Sequence, residues 1–308
     1  MTVRRRLPYP TFDGLLDAAR VLGGRRSVVG RSVDGRPIEA FELGARGGLR
    51  VLLTGLVHGN EVIGALGLIR ALDALRGAGL LGALHVVAVP VVNPDAARAS
   101  LDGDGAPRTN RRGVDLNRNF APALPVRSWH PFSGSGRRWS THYRGEAPWS
   151  EPETRALRDV AVEHRPSVAL GFHSIGGLLL HPWSCVPTEN PRADAYAELG
   201  GAFAAAQRRP YRVLPGRSWY PTIGDLDDWL DHALGTLAVT VEVGRVGLGV
   251  LKPRRLVDRF WWMNPPEVED TVDDVARGVV ALVARALGHG RDVGPADATS
   301  PALPRAAR

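Results

Sequence analysis

The sequence predicts an α/β fold: a single domain with a mixed central β-sheet flanked by helices. Continuous apolar runs of strand length recur along the chain and alternate with stretches whose apolar residues recur at helical spacing. The 308 residues are 44% hydrophobic, enough for one large buried core. Neither an internal repeat nor a linker interrupts the pattern. We therefore assign residues 1–287 to one domain and predict a disordered tail, rich in proline and alanine, over 288–308.

The first half of the chain contains two strong strand signals. Residues 49–57, LRVLLTGLV, form an apolar run that ends at HGNE and precedes VIGALGLIRAL at helical spacing. Residues 85–92 form the second run, which an Asn-Pro-Asp turn closes. Ahead of them we predict a helix over 12–22 and a hairpin over 28–44. Residues 96–150 show little periodicity and are predicted to be a long functional loop region.

The second half repeats the alternation of strands and helices. Ser150 with Glu153 three residues later predicts a capping box at the start of a helix that runs to residue 164. VALGFH and LLLHPW are predicted strands, and the final helix is expected to end near Leu287. The remaining elements are predicted helices over about 192–208 and 223–233 and a strand over 236–244.

Composition excludes several classes of protein. The net charge is +7, but the basic residues are scattered and no recognition motif accompanies them, so we expect no nucleic-acid partner. A single cysteine, Cys185, excludes an intramolecular disulfide and suits a reducing compartment. No signal peptide and no run of about 18 apolar residues is found, so no membrane association and a cytoplasmic location are expected. The oligomeric state stays open.

Three residues are candidate metal ligands. His58 and Glu61 lie three positions apart just after a buried strand, where open α/β sheets place their ligand crevices. His173 ends another buried strand and can reach the same sheet edge. A catalytic zinc site takes three protein ligands of this kind and leaves the fourth position for water. Taken alone, however, a His-x-x-Glu pair is most often a chance match.

Further motifs resemble those of a known protein family. GVDLNRNF, residues 113–120, resembles the substrate-binding signature of the zinc metallocarboxypeptidases, and HGNE resembles the first metal motif of their bacterial and regulatory branch. The resemblance implies that Asn117 and Arg118 grip the C-terminal carboxylate of a peptide, since a guanidinium matches a carboxylate bidentately. Nine residues before Asn117, Arg108 would polarise the scissile carbonyl; Arg111 is the alternative.

The same resemblance implies the remaining machinery. Asp115 would orient the first histidine ligand by accepting its other ring proton. Alternatively, Asp115 is a turn residue. Tyr220 and Glu242, 22 residues apart, match the mobile tyrosine and the catalytic glutamate of the family. With one zinc ion activating a water molecule, Glu242 would act as general base and then return the proton to the leaving amine. Tyr220 would close over the substrate terminus, or simply pack at a loop edge.

Specificity depends on the segment before Glu242. Asp227 stands fifteen residues ahead of it, where the resemblance places the floor of the pocket for the terminal side chain. An acidic floor favours a lysine, arginine or diaminopimelate terminus, as in cell-wall peptides. Alternatively, Asp227 caps or orients a helix. After His173 the chain reads Ser174-Ile175, where the digestive carboxypeptidases have Ser-Tyr, so one aromatic substrate contact is missing.

Two other functions compete with a carboxypeptidase. A zinc deacylase of N-acyl amino acids, of the aspartoacylase and succinylglutamate desuccinylase type, shares several of these motifs. A non-catalytic protein that has lost its metal is the second alternative, which the intact ligand set opposes. The other histidines are interpreted as residues at a strand start, in loops or on helix surfaces; for His181 alone a place in the cleft is considered, with packing as the alternative. They are His85, His130, His142, His164, His232 and His289.

Overall fold

Eight strands form one mixed β-sheet in the computed structural model, which describes residues 6–103, 105–126, 128–245 and 258–289. The strand order across the sheet is β1-β2-β4-β3-β5-β8-β6-β7. The four central strands, β4, β3, β5 and β8, run parallel, whereas β1, β2 and β6 pair antiparallel to a neighbour. The strands are β1 (Arg25–Arg31), β2 (Pro37–Gly44), β3 (Leu49–Gly55), β4 (Leu84–Val89), β5 (Val168–His173), β6 (Leu178–His181), β7 (Arg212–Pro215) and β8 (Leu237–Glu242).

Helices cover both faces of this sheet. The α-helices are α1 (Phe12–Val21), α2 (Val62–Gly77), α3 (Pro94–Asp102), α4 (Pro152–His164), α5 (Ala193–Ala205), α6 (Gly216–Trp219), α7 (Leu226–Leu234), α8 (Phe260–Met263) and α9 (Val268–His289). Short 3₁₀ turns lie at Leu80–Ala83 and Leu116–Arg118. The predicted α/β class with a mixed, helix-flanked sheet is thus confirmed.

Alternating side chains of the central strands supply two separate cores. On β3, Val51 and Leu53 point to the face covered by α1, α2, α5 and α9, while Leu52 points to the face covered by α4 and α7. Parallel strands covered on both faces need apolar residues on both sides, which explains why these strands appear in the sequence as continuous apolar runs. The topology brings the carboxyl ends of β3, β5 and β8 to one edge of the sheet.

Two local predictions need correction. Residues 94–102 form helix α3, capped by the Asn93 side chain, instead of belonging to a turn and an irregular loop. The capping box at Ser150 is wrong: Glu151 occupies the cap position of α4, and Glu153 instead accepts hydrogen bonds from the backbone of Val33 and the amide of Asn110. The final helix ends at His289, close to the predicted end near Leu287, and residues 290–308 of the predicted tail lie outside the described residues.

Candidate active site

The three candidate metal ligands converge at the carboxyl edge of the sheet. His58 and Glu61 lie in the loop between β3 and α2, and His173 is the last residue of β5, which neighbours β3. Glu61 occupies the N-cap position of α2, but its side chain makes no capping hydrogen bond. The carboxylate is therefore turned toward the histidines. All three residues are at most 3% exposed.

Their ligand atoms are spaced as a metal site requires. Nδ1 of His58 lies 2.9 Å from Glu61 Oε1, Nδ1 of His173 lies 2.9 Å from Glu61 Oε2, and the two Nδ1 atoms are 3.1 Å apart. A tetrahedral zinc ion with bonds of about 2.1 Å separates its ligand atoms by roughly 3.4 Å. Among the described residues, His58, Glu61 and His173 form a group of side chains whose ligand atoms lie close enough together to hold a metal ion.

The hydrogen bonding of His58 also fits a cation. Its Nε2 lies 3.0 Å from Oδ1 of Asp115, which is fully buried. A carboxylate can only accept, so the ring proton is assigned to Nε2 and the lone pair to Nδ1. That lone pair then faces the carboxylate of Glu61 and the ring of His173. Buried acceptors that face one another are stabilised by a shared cation, and zinc suits two imidazoles and a carboxylate.

Asp115 organises the neighbouring cations. Its Oδ1 accepts the backbone N–H of Asn117 in addition to bonding His58, and its Oδ2 accepts Nε–H of Arg108 at 3.0 Å. Nη1 of Arg108 lies 3.3 Å from Oε1 of Glu61. Burial alone would raise the pKa of Asp115, but the positive charge of the neighbouring Arg108 guanidinium outweighs it and the pKa lies well below its usual value. Asp115 is therefore ionised and supplies a permanent negative charge behind the site.

Glu242 is held beside the metal ligands by strand register. It ends β8 and pairs in register with His173 at the end of β5. Burial, reinforced by the negative charge of Glu61, raises the pKa of Glu242 to about 7. A carboxyl group with a pKa near neutrality can both accept and return a proton at physiological pH.

Asn117 and Arg118 project from the 3₁₀ turn into the same cavity. The Asn117 side chain accepts the backbone N–H of Leu226, which fixes this turn against α7. Arg118 donates from Nε to the carbonyl of Phe132 and from Nη1 to the carbonyl of Asn117. Its buried Nη2 has no hydrogen-bond partner among the described residues. A buried guanidinium with an unused donor is prepared for an anionic ligand.

Aromatic side chains form the rim of the cavity. The Tyr220 ring stacks on His130, with 5.9 Å between ring centroids, and meets Phe132 edge-on at 5.8 Å. The guanidinium carbon of Arg118 lies 5.9 Å from the Tyr220 centroid. Tyr220 is thus placed over the candidate carboxylate-binding arginine, and its pKa is raised because burial disfavours the phenolate.

Acidic side chains line the floor. Asp227 is buried, lines the cavity and accepts a hydrogen bond from Thr240 Oγ1 at 2.6 Å. Asp225 also lines the cavity. Asp228, in contrast, accepts the backbone N–H groups of Ser184 and Cys185 and holds that loop. Asp225 and Asp227 therefore line the cavity, whereas Asp228 stabilises a neighbouring loop.

The cavity has a volume of about 280 Å³ and brings together most of the predicted residues. Arg111, the alternative to Arg108, lies elsewhere: it is largely exposed and pairs with Asp34. His181 does not line the cavity and stacks on Tyr196. Predicted residues among the cavity lining are His58, Glu61, Arg108, Asn117, Arg118, His173, Tyr220, Asp227 and Glu242.

Sequence reasoning missed His142. It was interpreted as a loop or surface residue, yet it lines the cavity and its Nδ1 lies 3.2 Å from Oδ2 of Asp115. The surrounding residues, WSTHYRG, contain no motif that could have identified it.

Comparison with known proteins identifies the family. Residues 25–264 match the sequence model of the zinc carboxypeptidases. Murein peptide amidase A of Escherichia coli K12 is 33% identical over 205 residues, which cover 65% of this chain and 74% of that protein. Carboxypeptidase B of Helicoverpa zea is 27% identical over 328 residues, covering 92% and 73%. The chain belongs to the zinc carboxypeptidase family, and it is therefore a hydrolase that acts on peptide bonds.

Solved structures share the fold. Carboxypeptidase A from Helicoverpa armigera superposes with a TM-score of 0.75 at 21% identity, covering 94% of this chain and 75% of that one. The murein-tripeptide amidase from E. coli O157 superposes with a TM-score of 0.53 at 24% identity, covering 96% and 100%. Within the described residues, no helix is both long and apolar enough to cross a membrane.

Proposed function

We propose that this chain is a zinc-dependent carboxypeptidase that removes a cationic C-terminal residue from a peptide with a free terminal carboxylate. The observation that carries the proposal is the single cavity lined by the His58–Glu61–His173 cluster, by Glu242 and by Arg118 with its unpaired Nη2. A metal cluster, a proton carrier and a carboxylate receptor in one cavity are the parts that terminal peptide hydrolysis requires.

His58, Glu61 and His173 would hold one zinc ion. When bound, zinc supplies Lewis-acid polarisation of a carbonyl and lowers the pKa of water. Residues of the chain transfer the proton and stabilise the oxyanion. Glu242 takes the proton of the attacking water on its carboxylate and delivers it to the departing nitrogen. Arg108 bonds Asp115 and Glu61 through two of its five N–H donors, so donors remain for the oxyanion that develops on the scissile carbonyl.

The terminal residue would be held at both ends. Nη2 of Arg118 receives the carboxylate, and Asn117 and Tyr220 lie beside it. Asp227, with Asp225 nearby, presents negative charge to the side chain. A lysine, arginine or diaminopimelate terminus satisfies both ends, and the similarity to the murein peptide amidase supports a cell-wall peptide.

The first experiment measures release of the terminal residue by zinc-loaded wild type and by Glu242→Gln. Removing the proton carrier should lower kcat about 10²- to 10⁴-fold, while metal analysis should find one zinc per chain in both proteins. Wild-type kcat in the Gln variant would show that Glu242 is not the base. Turnover of N-acyl amino acids without turnover of any peptide would assign the chain to the deacylase alternative.

The second experiment tests the carboxylate receptor with Arg118→Lys. Losing bidentate geometry should lower kcat/KM on a peptide acid about 10- to 100-fold, since a charge-assisted hydrogen bond contributes roughly 1.5–3 kcal/mol. The matching peptide amide has no terminal carboxylate and serves as the control, on which both proteins should be equally poor. An equal loss on both substrates would contradict the assignment.

The third experiment tests the pocket floor with Asp227→Asn on peptides ending in lysine, arginine, diaminopimelate or norleucine. Norleucine keeps the alkyl chain of lysine without its charge. Wild type should prefer the cationic termini, and the Asn variant should lose that preference because the carboxylate charge is gone. Efficient wild-type cleavage of the norleucine peptide would refute a cationic specificity and leave the proposed reaction intact.

A further inference from the structure

His142 occupies a fixed position in the wall of the active-site cavity. Its loop is closed by hydrogen bonds between the backbones of residues 135 and 142 and of residues 144 and 135. The next residue, Tyr143, is buried, and its carbonyl accepts the backbone N–H of Asp115 at 2.8 Å. The imidazole packs against Phe132, with 5.0 Å between ring centroids, and remains 15% exposed. Backbone and ring contacts together hold the imidazole in place.

The hydrogen bond to Asp115 selects one tautomer of this ring. Oδ2 of Asp115 lies 3.2 Å from Nδ1 of His142 and also accepts from Arg108. Because an ionised carboxylate only accepts, Nδ1 of His142 carries the proton, and Nε2 of the neutral ring keeps its lone pair. No group in the described part of the chain hydrogen-bonds that Nε2. The ring therefore offers a hydrogen-bond acceptor to the cavity.

The His142 side chain lies next to Arg108, which the proposed function places at the reacting carbonyl. Arg108 and His142 share one oxygen of Asp115, so the two side chains are neighbours. Arg108 and Arg118 supply donors for substrate oxygens, but a peptide also carries N–H groups that lose their bonds to water on binding. The N–H nearest the carbonyl on the acyl side belongs to the residue that supplies that carbonyl.

We infer that His142 is a further substrate-binding residue, whose Nε2 accepts a hydrogen bond from the N–H of the residue that supplies the scissile carbonyl. The inference rests on the proposed function, which places the scissile carbonyl at Arg108. It assigns the enzyme a preference for acyl residues that carry an N–H, as in a peptide chain, over residues with oxygen at that atom. A role confined to supporting Asp115 would produce no such preference.

The test compares N-acetyl-alanyl-lysine with its O-acetyl-lactyl-lysine analogue, in which oxygen replaces only the N–H in question. Release of lysine is measured for both. Wild type should show a kcat/KM about three- to tenfold higher on the N–H substrate, the size expected for one neutral hydrogen bond. His142→Asn keeps an amide donor near the position of Nδ1 and removes Nε2, so its ratio should fall to about one while its zinc content stays at the wild-type level.

Each alternative result is decisive. Equal kcat/KM on the two substrates in wild type overturns the inference without any variant being needed. An unchanged ratio in His142→Asn, even with lower activity on both substrates, overturns it as well and leaves only a supporting role through Asp115. If wild type releases lysine from neither substrate, the same pair is compared with arginine or diaminopimelate as the terminus; release of no terminal residue from any of these peptides would overturn the proposed function and this inference with it.

Discussion

Two pairs of histidines lie at opposite ends of the central sheet; the first is buried, and in the second His164 is buried and His85 partly exposed. His58 and His173 meet at the carboxyl ends of β3 and β5, with 4.8 Å between ring centroids. His85, at the start of β4, meets His164, at the end of α4, also at 4.8 Å. Each pair has a glutamate beside it, Glu61 in the first case and Glu42 in the second. By residue type and spacing alone the two clusters are nearly equivalent.

The direction of the ring nitrogens separates them. In the second pair, Nε2 of His85 lies 3.0 Å from Oε1 of Glu42, while Nε2 of His164 lies 3.1 Å from the backbone carbonyl of Val51. Each imidazole thus has its own acceptor, and the nitrogens do not share a centre. At the other end, two nitrogens and two carboxylate oxygens lie around one point. Convergence of lone pairs, rather than the presence of histidine and glutamate, therefore distinguishes a metal site from a satisfied core.

Removing one imidazole ring from each pair should show the difference between the two clusters most clearly. His173→Ala deletes one of three ligands, so bound zinc should be lost, and turnover should fall about 10³-fold or more because the metal contributes several kcal/mol to the transition state. His85→Gln, which removes one ring of the other pair, should keep both zinc content and turnover. Stoichiometric zinc in His173→Ala, or its loss in His85→Gln, would reverse our assignment of the two pairs.

The strand ends that hold the site could be predicted from the sequence. Central parallel strands are buried on both faces, so β3 and β5 appear as unbroken apolar runs, and the polar residues that follow them must lie at one sheet edge. His58, Glu61 and His173 were found in this way. The placement of Glu242 and Arg118 needed the resemblance to a family, since no local pattern distinguishes a catalytic glutamate or a substrate-binding arginine.

The loop that faces these strands was predictable only in outline. The contact between His142 and Asp115 spans 27 residues of irregular chain, and no periodicity encodes such a contact. Helix α3 was missed because small buried side chains such as Ala96 and Ala97 replace the large apolar residues of an amphipathic pattern. Glu153 failed as a capping residue because tertiary partners hold its side chain, which outweighs the local signal.

The pair formed by His85 and His164 should affect how the free energy of unfolding depends on pH. Burial lowers the pKa of His164 to about 4, against about 6.5 in the unfolded chain. Between pH 4 and pH 6.5 the unfolded chain binds a proton at His164 that the folded chain does not bind. The contribution of His164 to the free energy of unfolding is therefore complete above pH 6.5 and is lost as the pH falls toward 4. His164→Gln keeps a donor for Val51 but does not titrate. The difference in unfolding free energy between wild type and variant should shrink by about 3 kcal/mol from pH 7 to pH 4 in urea titrations; a constant difference would show that His164 titrates normally when folded.

The smallest expected effect comes from changing the carboxylate that contacts one histidine of each pair, which is Asp115 for His58 and Glu42 for His85. Asp115→Asn keeps the shape of the side chain next to His58 but removes the charge that favours its metal-binding tautomer, so zinc affinity should fall about 10- to 100-fold. Glu42→Gln makes the same change beside His85 and should leave zinc affinity unaltered. Competition with a chelator of known affinity measures both. Equal affinities in Asp115→Asn and wild type would mean that Glu61 and the two histidines bind the metal without help from the charge behind them.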